Sequence, residues 1–332
     1  MQLSYAQNLE DYHLSLLFAD CPQGVYIDIG GGHPVADNVS FWFYLKGWRG
    51  LVVEPQQPLA DLYRHLRPRD AIETCLVGRA DGEADFHIIE RLHGFSTTVE
   101  THAAGAKQFG AGYETVRRRV RTLAGLAAAH RLDAIDFLKI DVEGAEADVL
   151  AGADWSRLRP RVVVVEAIAP GSMQEAHGAW EHLITAHRYH FAYFDGLNRF
   201  YVAEEAGALA TRFPRAKTPW EQTRHLYEFA CAPDNAEHPD HQLARALVAG
   251  FLAAVPTLPT PLLAELLRRA PAVAEAERQS PPTLSGLLHG AADYPGPITA
   301  TNLTLEALLA TDRVRAALGR IAAPYDGGQL LD

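Results

Sequence analysis

Short, nearly continuous apolar runs recur through the first two hundred positions, and each closes on an acid or a glycine. Val25–Ile29 contains Asp28 and runs into three glycines; Gly50–Glu54 reads Gly-Leu-Val-Val-Glu and stops at Pro55. Phe137–Asp141 ends in an acid, and Arg161–Glu166 is four valines closed by a glutamate. Runs of this kind suit strands buried on both faces, hence a parallel sheet covered by helices. Between them, Asp11–Ala19, Ser40–Leu45, Leu59–Leu66, Leu123–His130 and Ala145–Ala151 carry helical patterns, with further strands at Ala71–Val77, Ala84–Ile89 and Val120–Thr122. Tyr189–Phe194 and Arg199–Ala203 are separated only by Asp195–Asn198, and so short a loop joins antiparallel neighbours. The alternation predicts a Rossmann-like, doubly wound α/β fold whose mostly parallel sheet ends in an antiparallel hairpin.

After Glu205 the pattern changes. Prolines (Pro256, Pro259, Pro261, Pro281, Pro282, Pro295, Pro297) separate alanine- and leucine-rich helices, of which Gln242–Ala254, Leu262–Arg269 and Leu303–Ala322 are the best formed. The expected organisation is therefore a sheet domain over 1–205 and a helical C-terminal extension over 206–332, the latter suited to homo-oligomer contacts. A chain of 332 residues is long enough for both. The net charge of −11 repels phosphate backbones and argues against nucleic acid as a partner. Three scattered cysteines fit neither a disulfide framework nor a structural zinc site. The amino terminus lacks the pattern of a signal peptide, and no apolar run reaches the roughly 20 residues of a membrane span. A soluble, cytoplasmic protein is expected.

The glycine segment Asp28-Ile-Gly30-Gly31-Gly32-His33-Pro34 carries the first chemistry. Glycines allow a tight turn and close approach of a ligand to the backbone. A following helix would direct free N–H groups at a carboxylate, and Asp28 would suit an ammonium group. S-adenosylmethionine carries both groups. Glu54 closes the next strand 22 residues after Gly32, near the ~20-residue offset of an acid that binds ribose hydroxyls. A dinucleotide site would want a third spaced glycine where Val35 stands.

Five segments in order make the chain resemble the FkbM family of S-adenosylmethionine-dependent methyltransferases. They are Ser4–Asp11, Tyr26–Gly32, Gly47–Pro55, Phe137–Glu146 and Phe194–Val202, spanning about residues 4–205. Lys139-Ile-Asp141-Val-Glu143-Gly144-Ala-Glu146 is the most specific. The resemblance implies a class I methyltransferase sheet and O-methylation of a hydroxyl on a sugar, glycan or glycosylated natural product. It also implies that Tyr5 and Gln7 fold over the methionine end of the donor. His33 stands where relatives carry a different polar residue, so any role held there passes to His33.

An alcohol is a weak nucleophile and needs a base or a metal at its proton. Strand-tip acids face the ligand crevice of a doubly wound sheet, which makes Asp141 the first candidate, followed by Glu143 and Glu166. Asp141 and Glu166 with a third oxygen could also hold Mg²⁺ or another divalent cation. Against this, acids at 143 and 146 could merely complement a helix dipole, and Lys139 could pair structurally with Asp141. His33 could serve as a base or simply order its loop. Ser96–Thr98, after Gly94-Phe95, could touch an acceptor or form a turn, and His238-Pro-Asp240-His241 reads as a solvated loop. Two other functions stay open at this stage: a non-catalytic donor-binding module that docks partners, and methylation of a carboxylate or nitrogen on a peptide-like acceptor.

Overall fold

The computed structural model describes residues 3–89, 96–105, 112–169, 174–215, 223–269 and 305–322. Gly94, Phe95, Pro281, Pro282, Pro295 and Pro297 lie outside these residues. The chain divides into two compact units, Met1–Glu228 and Phe229–Asp332. The first extends past 205 because residues 204–212 and Arg224–His225 are tied back to it. Arg212 donates to the Leu17 carbonyl at 2.8 Å, and strand β1 (Leu3–Ser4) pairs in parallel with β12 (Arg224–His225).

Seven strands build the central sheet: β2 (Val25–Ile29), β3 (Arg49–Val53), β4 (Ala71–Glu73), β8 (Phe137–Ile140), β9 (Val162–Glu166), β10 (Tyr189–Phe194) and β11 (Asn198–Ala203). Their order is β10-β11-β9-β8-β2-β3-β4. Pairs from β9 through β4 are parallel, while β11 runs antiparallel to both β9 and β10. The chain steps from β2 outward to β4 and then returns to place β8 on the other side of β2. The reversal of strand order falls between β2 and β8, and ligands of doubly wound sheets bind at such a point.

Alternation along each strand decides which face it serves. Ile27, Leu51, Leu138, Val163 and Val165 pack with Leu123, Leu126, Val149, Leu150 and Ile184 from α5 (Leu123–Ala129), α6 (Glu146–Ala151) and α7 (His182–Thr185). Tyr26, Val52, Phe137, Val162 and Val164 pack on the opposite face with Leu14, Leu17, Phe43 and Tyr63 from α1 (Glu10–Leu17), α2 (Phe41–Leu45) and α3 (Gln57–Leu66). Each buried aliphatic side chain of this kind contributes about 1.5–3 kcal/mol.

Several expectations are corrected. Ala71–Val77 is not one strand: it breaks at Thr74–Cys75, and β5 (Leu76–Val77) leaves for a second sheet with β6 (Gly82–Ile89) and β7 (Tyr113–Arg121), in the order β5-β7-β6. The short strand expected at Val120–Thr122 is the end of the nine-residue β7. In the second unit, His241–Ala254 and Thr260–Arg268 are helical as expected. Leu303–Ala322 is two helices, Leu305–Leu309 and Asp312–Ala322, separated at Ala310–Thr311. Leu263, Ala264, Leu305, Leu308, Leu309 and Val314 form that unit's own core. No described helix is long and apolar enough to cross a membrane.

Candidate active site

The glycine turn is built where β2, β3 and β8 end side by side. Gly30 and Gly31 donate to the Val53 carbonyl at 3.0 and 3.2 Å, and Asp141 donates to the Ile29 carbonyl at 3.1 Å. Gly30 has φ +76°, and a Cβ on it would lie 1.7 Å from the Asp141 carbonyl oxygen. Gly32 has φ +57° but faces open space. The helix expected at Ser40–Leu45 is present as α2 from Phe41, and residues 33–40, in bends and turns, separate it from the glycines. His33 orders these turns, its Nδ1 accepting from the amides of Val35 (3.1 Å) and Ala36 (3.0 Å). Its lone pair is thus spent on the loop rather than offered as a base.

Asp28 is fully buried beneath the turn, bonded through Oδ2 to Ser40 Oγ at 2.6 Å and 3.6 Å from Lys139 Nζ. It braces the turn from below. Glu54 reaches back over β3: its Oε2 accepts from Gly32 N at 2.9 Å and its Oε1 from Gln56 N at 2.8 Å. Burial pushes the Glu54 carboxyl up to about 7, opposed by those hydrogen bonds and by Lys139. Tyr5 packs edge-on against Phe41 at 4.8 Å while its carbonyl accepts from Asn38 at 2.9 Å. Gln7, on the same segment, is exposed.

The loop after the glycines rests on a buried polar network with little signature in the sequence. Asn38 Nδ2 donates to the carbonyls of Gly31 (2.9 Å) and His33 (3.1 Å), and Tyr63 OH donates to the Gly31 carbonyl at 2.8 Å. Arg67, fully buried, donates to Asn38 Oδ1 and Ser40 Oγ (both 2.8 Å) and pairs with Asp70. One signal was available: an arginine at the end of an amphipathic helix, three residues before an aspartate.

Across the switch point, Lys139 is buried inside β8 and donates to the Gly30 carbonyl at 2.8 Å, with Asp141 Oδ2 at 3.3 Å. Burial opposes its charge, but Asp141 and Asp28 outweigh burial and raise its pKa above the ordinary lysine value. Asp141, Glu143 and Glu166 converge, one carboxylate oxygen from each lying within 4.8 Å of the others. Burial, then the charge of Asp141, pushes Glu143 and Glu166 well above the usual carboxylate range. Glu146 does not join them. Its Oε1 accepts from Val142 and Gly144 amides at 3.3 and 3.0 Å, fastening the turn that precedes α6. Glu143 lies before that helix rather than in its first turn, with φ +56°.

Thr97 and His102, the latter on α4 (Glu100–Gly105), reach the same turn. Both bond the Glu143 carbonyl, at 2.8 and 3.1 Å. Sequence reasoning named Thr97 only as part of a small hydroxyl run and missed His102, since nothing local links them to residue 143. In the second unit, His238 accepts from Asp240 N and His241 Nδ1 lies 2.9 Å from the Ala232 carbonyl, so both histidines order backbone. Among the described residues, the acids at 141, 143 and 166 form the one group suited to a metal ion.

Among solved structures, a TehB-like S-adenosylmethionine-dependent methyltransferase from Corynebacterium glutamicum matches at 11% identity and TM-score 0.31 over 57% of this chain and 86% of that one. An O-methyltransferase from Bacillus cereus, solved with S-adenosylhomocysteine, matches at 15% identity and TM-score 0.33 over 60% of this chain and 82% of that one. No curated protein matches significantly. Residues 28–191 match the methyltransferase FkbM domain, from the acid beneath the glycine turn to the middle of β10. The chain therefore carries an FkbM methyltransferase domain and is an S-adenosylmethionine-dependent methyltransferase.

Proposed function

We propose that the enzyme transfers the donor's methyl group to a hydroxyl oxygen of a sugar, glycan or glycosylated natural product, with Asp141 taking the hydroxyl proton. The observation that carries this reading is the convergence of Asp141, Glu143 and Glu166 beside the glycine turn, at the reversal of strand order. The acceptor oxygen attacks the methyl carbon in line with the breaking carbon–sulfur bond. The sulfonium charge disappears as the neutral thioether leaves, and the proton passes to the carboxylate. Much of the acceleration comes from alignment, and a positioned base adds about 10²–10⁴-fold. Asp141 is suited to this task because its side chain is 28% exposed, while Lys139 sits behind it as a fixed cation. A carboxylate or amine acceptor would need no strong base and would leave this cluster without a task.

In the same reading, Gly30, Gly31 and Gly32 cradle the methionine end of the donor, Asp28 holds the turn in place and Glu54 meets the ribose hydroxyls. Tyr5 and Gln7 cover the donor from the amino-terminal segment, and His33 shapes the rim. The three clustered carboxylates also fit a hard divalent cation such as Mg²⁺, since their oxygens lie within 4.8 Å of one another. Such an ion, when bound, polarises the acceptor oxygen.

The test is transfer of a labelled methyl group to a panel of glycosides by wild type and Asp141→Asn, with S-adenosylhomocysteine binding followed by calorimetry. Transfer should fall about 10²–10⁴-fold while binding is kept. Unchanged transfer by the variant would overturn the assignment of Asp141. Activity indifferent to EDTA would remove the cation.

A further inference from the structure

Glu143 and Gly144 are consecutive residues in the left-handed region, at φ +56° and +100°. For a residue with a side chain this conformation costs about 1–2 kcal/mol and persists only where its surroundings over-determine it. The surroundings here are specific. The Glu143 carbonyl receives two donors, Thr97 Oγ1 at 2.8 Å and His102 Nδ1 at 3.1 Å, which uses both of its lone pairs. Glu146 holds the amides on the other side of the turn. The His102 ring fills the space a side chain at 144 would need, since a Cβ there would lie 2.5 Å from His102 Cε1.

Thr97 is itself anchored. It is fully buried, its hydroxyl accepts from Val99 N at 2.9 Å, and its main chain exchanges hydrogen bonds with His87 at 2.9 and 3.1 Å. His87 belongs to β6, and its Nδ1 lies 2.8 Å from Thr115 Oγ1 on β7. A continuous hydrogen-bonded path therefore leads from the three-stranded sheet to the backbone of one of the clustered acids.

We propose that Thr97 and His102 are positioning residues for methyl transfer: they fix the Glu143 carboxylate beside Asp141 and Glu166 by holding its main chain in the left-handed turn. This rests on the reading of the acid cluster as the transfer site. It assigns the small sheet a task in the reaction.

Crystal structures of wild type, Thr97→Val, His102→Phe, Thr97→Ser and His102→Asn with S-adenosylhomocysteine provide the direct test. Valine and phenylalanine remove the donors at similar volume, whereas serine and asparagine retain one. In the first pair Glu143 should leave the left-handed region and its carboxylate should leave the cluster. In the second pair both should stay. On a glycoside that wild type methylates, the first pair should lose about tenfold or more in kcat, a barrier rise of about 1.4 kcal/mol. Their affinity for S-adenosylhomocysteine should change less than twofold, and serine and asparagine should restore the rate. Placed in a Glu143→Gln background, Thr97→Val should cause no further loss.

An unmoved Glu143 in the valine and phenylalanine variants overturns the proposal. So does a loss of kcat matched by an equal loss of affinity, which would mark a general structural defect. Should Thr97→Val not fold, His102→Phe decides by the same criteria. Failure of the underlying reading looks different: Glu143→Gln alone would then transfer methyl groups at the wild-type rate, whatever the turn geometry of the other variants.

Discussion

Gly30, Gly31 and Gly32 stand in a row but answer to different constraints. At Gly30 a side chain would meet the Asp141 carbonyl at 1.7 Å, and that carbonyl belongs to a backbone already bonded to β2. Gly31 is closed by Val52 Cγ1 at 2.4 Å and Tyr63 OH at 2.7 Å. Only Gly32 opens to free space, so alanine there meets just the left-handed penalty of about 1–2 kcal/mol. Gly30→Ala should lose roughly 4 kcal/mol or more, the range reserved for strain in a fixed core, in urea unfolding. Gly32→Ala should keep most of its stability yet bind S-adenosylhomocysteine more weakly, because the added methyl occupies the face assigned to the donor. Wild-type affinity in Gly32→Ala would move the donor away from this turn. The strand-tip acids were legible from sequence because each closes an apolar run. That Asp28 is fully buried against Ser40 and Lys139 was not legible, because these partners come from separate elements.

Between elements, legibility followed burial. Strands β3 and β9 are buried and apolar on both faces through most of their length, and β2 and β8 depart from that pattern only at Asp28 and Lys139, so their short apolar runs read plainly as strands. Strand β7 reads Tyr-Glu-Thr-Val-Arg-Arg-Arg-Val-Arg, and its apolar positions 113, 116 and 120 fall at helical spacing. Its strand conformation comes from eight pairings with β6, which no local window contains. The link between α3 and the glycine loop is equally non-local, since Arg67 joins Asp70, Tyr26, Asn38, Ser40 and the Pro34 carbonyl. Replacing it with methionine keeps the bulk but leaves buried Asp70 and Asn38 without their partner. Breaking such a buried pair costs about 3–5 kcal/mol. Arg67→Met should therefore unfold at clearly lower urea and, where it folds, bind S-adenosylhomocysteine more weakly. Unchanged donor affinity in a folded variant would show that the loop holds its shape without the network.

Over the whole molecule, buried carboxylates set how stability varies with pH. Burial pushes Glu10 up to about 8 and Glu54 to about 7, and it pushes Asp11 and Asp195 to about 6. Each folded-state value lies above the ordinary value, so the folded state keeps protons that the unfolded chain has released. Stability must then fall as pH rises through the window from the ordinary values near 4 to about 8. His13 works in the opposite sense, because burial lowers it from 6.5 to about 4 and the unfolded chain gains its proton first as pH drops. Above pH 6.5 that opposition ends, and Glu10 and Glu54 act in the same direction as Glu143 and Glu166, which burial also holds well above the usual carboxylate range. The urea midpoint should therefore be higher at pH 6.5 than at pH 8.5, and Glu10→Gln with Glu54→Gln should reduce the difference, leaving the part that Glu143 and Glu166 contribute. Repulsion within a chain of net charge −11 also grows with pH, but it arises at the surface and is screened within about 3 Å in 1 M salt. Repeating both titrations in 1 M NaCl separates the two causes. A slope that survives salt in wild type and shrinks in the double variant belongs to the buried acids, whereas a slope abolished by salt alone would mean that they are solvated and ionise freely.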